Sequence, residues 1–216
     1  VLIFIMSTMI IFIAGYKLKH LTVLFFLFIF LISSFLLAVN KFPDIIPNRV
    51  DTWTNRIENF VNNDIDDTSN YQINRAKAAI ANGKIFGVGA GKSSMKYVLP
   101  QSTSDFIFSI IAEEYGIIVS LIILLLYVVL LFRIIITSYR SETKFGQLVS
   151  VAVGIPVVFQ AFTNMAVAVQ LIPVTGQPLP LVSTGGTSIW ITFLAMGILL
   201  SVSKNNLKYN TVAIDD

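Results

Sequence analysis

From Leu21 to Val39 the chain runs nineteen residues without one charged side chain. About 20 such residues cross the hydrocarbon core of a bilayer as a helix. No other open-ended structure is permitted there, because lipid offers nothing to satisfy backbone N–H and C=O groups. Four more apolar stretches follow the same pattern: Val1–Ala14, about Phe106–Ile136, about Leu148–Ile172 and about Ser188–Val202. Charged residues make up 12% and hydrophobic ones 55% of the 216 residues. A soluble domain carries roughly 25% charged residues, so a soluble enzyme and a disordered chain are both excluded. The expected fold class is all-α: one membrane domain over 1–216, a polytopic transmembrane helix bundle of about five spans. A large structured extracytoplasmic loop is expected at 40–105. The absence of cysteine removes disulfides, thiolate metal sites and a cysteine nucleophile. Val1 already lies inside an apolar run with no charged n-region before it, so that run is not a secretory signal. It is expected to be a span whose start lies upstream.

The basic residues set the expected orientation. Lys17 and Lys19 follow the first stretch, Arg133, Arg140 and Lys144 the third, and Lys204 and Lys208 the fifth. The short segment Pro173–Thr187 has no Lys or Arg. Positive residues stay on the cytoplasmic side of short loops, which places these three basic ends inside and both 173–187 and the long 40–105 segment outside. Within the long segment, Tyr71–Asn82 predicts a short helix with Ile73, Ala76 and Ile80 on one face, capped by Ser69 and stopped by Gly83.

Gly87–Ser94 (GVGAGKSS) resembles a nucleotide loop but does not fit one. A P-loop counted back from Gly91-Lys92-Ser93 needs glycine where Phe86 stands, and G-x-G-x-x-G needs glycine where Lys92 stands. Two readings remain: a glycine turn that returns the chain to the membrane surface, or a backbone nest that receives an anion with Lys92 and Lys96. Asp105, at the mouth of the third span, is either a helix N-cap or a general base. Glu113 and Glu114 lie about two turns further in. Acids at such depth are functional candidates by default, with a structural glutamate bonded across helices as the alternative. Gln160 and Asn164 share a helix face at i, i+4, as interhelical hydrogen-bond donors or as the lining of a polar path. Pro173–Ser188, with three prolines, three glycines and several hydroxyls, predicts an irregular re-entrant segment that walls a cavity. His20 is the only histidine, and no metal site can be built on it.

Several motifs stand in one order: Gly87, Gly89, Gly91, Ser93, Lys96, Leu99 and Pro100; then SDFIF (Ser104–Phe108) and AEEYG (Ala112–Gly116); then Phe159, Gln160 and Asn164; then PVTGQPLPLVSTGGTS (Pro173–Ser188). In this the chain resembles, over essentially its whole length, the SEDS family of shape, elongation, division and sporulation proteins, and its division members most. The resemblance implies a protein with about twice this many spans, of which this chain is the C-terminal half. It implies a peptidoglycan glycosyltransferase that polymerises lipid II at the outer face of the bacterial cytoplasmic membrane during cell division. Asp105 matches the family's essential acid. Arg49, Gln72, Lys96 and Glu114 match its polar positions. Two departures are visible: Gln101 stands where many relatives carry glutamate after Leu-Pro, and Thr184 where many carry tyrosine before Gly-Gly.

The expected catalytic residue is therefore Asp105. The expected substrate-binding residues are Arg49, Gln72, Lys92, Lys96, Glu114, Gln160, Asn164, Thr175 and Ser183. A divalent cation, magnesium or manganese, is a further expectation, with its ligands unknown. The expected partners are lipid II, a class B penicillin-binding transpeptidase, other division-machinery membrane proteins and membrane lipid, and no nucleic acid. Two other classes compete: a lipid II flippase lined by Glu113, Glu114, Gln160 and Asn164, and a non-enzymatic division scaffold. The last apolar stretch has almost no polar residue for a flipping path, and a scaffold has no use for an acid beside a basic, glycine-rich loop.

Topology is directly testable. Reporters fused at Ser141 and Asn205 should be cytoplasmic, and those at Asp64 and Gln177 should be outside. An external signal at Ser141 would overturn the orientation and the placement of Asp105 with it.

Overall fold

The computed structural model describes residues 2–41, 68–99 and 102–215. The chain divides into two compact units, Val1–Glu58 and Asn59–Asp216. The first contains α1 (Leu2–Ile13) and α2 (Leu18–Lys41), turned at Gly15, whose φ is 84°. The Phe4 and Phe28 rings stack with centroids 3.6 Å apart. Val23, Phe26 and Phe30 on α2 are largely exposed, as lipid contact requires.

The second unit contains α3 (Thr68–Gly83), a 3-10 turn at Met95–Tyr97, α4 (Ile107–Tyr139), α5 (Lys144–Ala168) and α6 (Gly186–Asp215). All elements among the described residues are helical, and four helices are long and apolar enough to cross a membrane: α2, α4, α5 and α6. The all-α membrane fold class expected from the sequence is present. The helix of the first apolar stretch has 12 residues, which reach only about 18 Å.

The α4–α5 pair forms the spine of the second unit. On α4, Ser120, Tyr127 and Ile134 are buried and Ile123 and Leu130 pack beside them. The buried positions of α5 include the series Val151, Gly154, Val158, Ala161, Met165 and Ala168. Both series alternate in steps of three and four, the spacing of left-handed helix pairs. Every seventh residue of the α5 series is small (Gly154, Ala161, Ala168), which lets the two backbones approach. A Cβ on Gly154 would lie 2.7 Å from the Ile134 side chain. The opposite face of α4, with Ile122, Leu125, Val129 and Phe132, is exposed. The turn into α5 is capped by Thr143, whose hydroxyl accepts the Gly146 N–H at 3.1 Å.

α3 lies across the start of α4. Ile73, Ala76 and Ala79 are buried and Ile80 is partly so, close to the face expected from its spacing. Ser69 is the second residue of the helix instead of its cap. Ala76 joins Leu99, Phe106, Ile110 and Val167 in a cluster that binds α3, α4 and α5 together.

α4 is broken at Gly116, where φ is 80° and ψ is 179°. A break inside an apolar helix strands backbone groups that must find partners. The segment after α3 supplies them. Val88 N–H donates to the Glu113 carbonyl at 2.9 Å and Gly89 N–H to the Glu114 carbonyl at 3.0 Å. In return Ile117 N–H donates to the Lys84 carbonyl at 3.0 Å. The fit leaves no room for side chains: a Cβ at Gly87 would sit 2.2 Å from the Glu114 carbonyl oxygen, and one at Gly116 would sit 2.2 Å from that of Ile85. Residues 84–89, which open the glycine-rich run, are therefore a main-chain splice. Beyond the break, Ile117–Tyr139 is about 34 Å long at 1.5 Å per residue, enough to span the hydrocarbon core alone.

Gly116→Ala should lower stability by about 1–3 kcal/mol from its left-handed conformation alone, and by more from the clash with Ile85. Gly197→Ala, with no neighbour within 4 Å of the added Cβ, should be neutral or slightly stabilising. Thermal unfolding of the two variants in detergent separates these outcomes.

Candidate active site

Asp105 lies in the turn that precedes α4 and is half-buried. Its carboxylate does not cap that helix. The N-cap is Phe106, with no side-chain hydrogen bond, so the capping expectation is corrected. The turn instead folds the Phe106 ring into the α3–α4–α5 cluster, and the acid accepts a hydrogen bond from the Ser104 hydroxyl at 2.6 Å. Its other oxygen faces Gly176, where an added Cβ would approach Oδ2 to 3.5 Å. Gly176 adopts φ 67°, so the 173–187 segment presents bare backbone to the acid.

Neighbouring polar side chains hold main chain in place. Asn164 Nδ2 donates to the Asp105 carbonyl at 2.7 Å and to the Gln177 carbonyl at 2.8 Å. Both partners can only accept, which fixes the amide orientation. One turn earlier, Gln160 Nε2 donates to the Pro178 carbonyl at 2.9 Å. Ser183 Oγ donates to the Ser104 carbonyl at 2.6 Å and accepts the Leu179 N–H at 2.7 Å. Thr184 donates to the Thr103 carbonyl twice, from its hydroxyl at 2.9 Å and its N–H at 3.1 Å. The Tyr127 hydroxyl rises from the middle of α4 to donate to the Pro180 carbonyl. The irregular 173–187 segment is thus a wall bonded to residues 103–105, to α4 and to α5. Two buried atoms at this wall, Asn164 Oδ1 and Thr175 Oγ1, have no hydrogen-bond partner among the described residues. Native structures satisfy most such atoms, and exceptions are candidates for contact with a ligand or water.

The structure thus brings Asp105, Gln160, Asn164, Thr175 and Ser183 together. Lys92 and Lys96 are exposed on the segment between α3 and α4. Lys96 is joined to the approach to Asp105, because the Ser102 hydroxyl donates to its carbonyl at 2.9 Å. Gln72 is half-buried on α3, beside Ile73 of its packing face. Glu114 is half-buried, and its carbonyl belongs to the splice at Gly116. Arg49 lies outside the described residues. The acid most engaged with the loops is Glu113, absent from the expected set. Adjacent glutamates look alike in sequence, and only the direction of the broken helix separates them. Tyr127 and Gly176 gave no chemical signal of their own.

These features define a polytopic helical membrane protein in which an acid sits at the start of a long apolar helix under a wall of irregular chain. The sequence profile of the FtsW/RodA/SpoVE family, described as cell cycle proteins, matches residues 1–208, and the chain belongs to that family. The chain is similar to the probable peptidoglycan glycosyltransferase FtsW of Enterococcus hirae, 41% identical over 64% of this chain and 35% of that protein. It is also similar to the stage V sporulation protein E of Bacillus subtilis, 36% identical over 90% of this chain and 50% of that protein. Among solved structures, a chain of a peptidoglycan synthase complex that coordinates polymerization and crosslinking matches with a TM-score of 0.65 at 26% identity, over 91% of this chain and 52% of that one. The chain thus spans half or less of these curated relatives.

Asn164→Asp replaces the donor with a second acceptor facing two carbonyls, which leaves both unsatisfied at a cost of about 1–3 kcal/mol each. The 173–187 wall should loosen in that variant. Limited proteolysis near Gln177 should be faster than in the parent, and equal rates would show that Asn164 does not hold the wall.

Proposed function

We propose that the protein of which this chain forms part is a peptidoglycan glycosyltransferase. Its substrate is lipid II, and it works at the outer face of the bacterial cytoplasmic membrane during cell division. The observation that carries this reading is the state of Asp105: a carboxylate without a capping role, held by its own main chain under a wall with two unpartnered polar atoms. The names of the relatives support the same activity. In the reaction, an acceptor sugar hydroxyl attacks the donor's anomeric carbon and the glycosidic C–O bond forms. The bond from that carbon to the pyrophosphate oxygen breaks, undecaprenyl pyrophosphate leaves, and Asp105 takes the hydroxyl proton.

Lys92 and Lys96, with Arg49, are suited to stabilise the leaving pyrophosphate. Among the described residues no three His, Cys, Asp or Glu side chains cluster, so these residues offer no all-protein cage for a metal. Magnesium or manganese carried on the pyrophosphate does fit, since such ions need only one or two carboxylates beside phosphate oxygens, and Asp105 offers one. A class B penicillin-binding transpeptidase and other division membrane proteins are the proposed partners, in line with the synthase complex to which the chain is similar.

The flippase reading loses support from the geometry. Gln160 and Asn164 are engaged with backbone carbonyls and Glu113 with loop donors, which leaves no continuous row of free polar groups along α4 and α5.

Purified full-length protein should polymerise lipid II, and Asp105→Asn should slow it by about 10²-fold or more, the usual scale for loss of a general base. Because the side chain caps nothing, Asp105→Asn and Asp105→Ala should both insert and melt as the parent does. Polymerisation by Asp105→Asn at the parent rate would overturn the assignment.

A further inference from the structure

Glu113 is 1% exposed, and no cation among the described residues pairs with it. Neutral donors from the preceding segment surround it instead. The Ser93 hydroxyl donates to Oε2, and the Met95 N–H reaches the same oxygen at 3.3 Å. The Ser94 hydroxyl donates to Oε1 at 3.0 Å, and Asn82 Nδ2 reaches Oε1 at 3.5 Å. A buried carboxylate is expensive unless its lone pairs are filled, and here one short turn, 93–95, fills most of them. That turn leads directly into Lys96. Ser93 Oγ, while donating to Glu113, accepts the Lys96 N–H at 3.0 Å. The Lys96 carbonyl accepts from Ser102 at 2.9 Å, three residues before Asp105. The main chain of Lys96 is therefore pinned on both sides, once to an acid inside α4 and once to the turn entering that helix.

We propose that Glu113 is a positioning residue that clamps the Ser93–Met95 turn and thereby fixes Lys96 for its work on the anionic leaving group. Glu113 touches no substrate. It acts as the fixed point from which the lysine is held relative to Asp105, since the turn carrying Asp105 leads directly into the helix carrying Glu113. The chemistry assigned to Lys96 rests on the glycosyl-transfer reading, whereas the clamp itself rests only on geometry. A basic loop that moved freely would have to be ordered at each encounter, and preorganisation removes that cost.

The closing experiment has two arms, both on full-length protein. In the first, spin labels are placed at Tyr97→Cys, which is 85% exposed, and at Tyr139→Cys, which is 87% exposed. The chain contributes no competing thiol. The distance distribution should be narrow in the parent and clearly broader or shifted with Glu113→Gln, which keeps the shape but cannot accept from every donor. An unchanged distribution overturns the clamp whatever the protein's activity. The second arm is a double-mutant cycle on lipid II polymerisation with Glu113→Gln and Lys96→Ala. Each single change should lower the rate by about tenfold or more. The double variant should fall little further, because residues that act through one another are not additive. Additive losses, or a Lys96→Ala variant at full rate, overturn the positioning role. If Glu113→Gln does not insert, Ser93→Ala and Ser94→Ala carry both arms from the loop side. A parent protein that fails to polymerise lipid II removes the functional reading and leaves the distance arm to decide the clamp.

Discussion

Nearly everything at the Asp105 end of the bundle depends on one repaired fault in a helix. Gly116 breaks α4, and the broken ladder is completed by the backbone of residues 84–89. In an apolar surrounding this exchange is obligatory: each stranded amide left unpaired would cost more than an ordinary hydrogen bond contributes. The repair draws the segment after α3 tightly onto α4, sets the height of the Ser93–Met95 turn beside Glu113, and turns the short first part of α4 into a platform carrying Asp105. Without the break, α4 would be a plain long rod and the glycine-rich segment would have nothing to attach to.

The polar side chains of the site share an unusual division of labour. Asn164, Gln160, Ser183, Thr184 and Tyr127 all direct donors at backbone carbonyls of residues 103–105 or 177–180. Irregular chain near lipid is tolerable only on such terms. The glue expected of Gln160 and Asn164 is thus real, but it joins helix to re-entrant loop more than helix to helix. Their position under Asp105 makes the same residues part of the site's floor.

The spans were legible because the apolar runs follow from the length a bilayer demands, and the α3 face was legible from the spacing of Ile73 and Ala76. Asp105 stood out through the family resemblance, because an acid at the mouth of an apolar helix is ordinarily an N-cap. What remained hidden was tertiary. Whether Asp105 caps its helix depends on the turn at Phe106, which is drawn inward by a cluster assembled from three helices. Glu113 and Glu114 differ only in the direction each faces once Gly116 has bent the chain. Tyr127 sits in a run of leucine, valine and isoleucine, and its partner, the Pro180 carbonyl, is 53 residues away.

The scaffold grips position 105 by its carbonyl and leaves the side chain to be chosen by chemistry alone. Support and reactivity are thereby uncoupled at a single residue, as when a tool bit is held by the shank. The framework can therefore be drifted, transplanted or redesigned around that position without renegotiating its shape. On the proposed reading, an inert side chain installed there would give a preformed vessel that takes in substrate without turning it over, the form best suited to capturing a bound complex for direct observation.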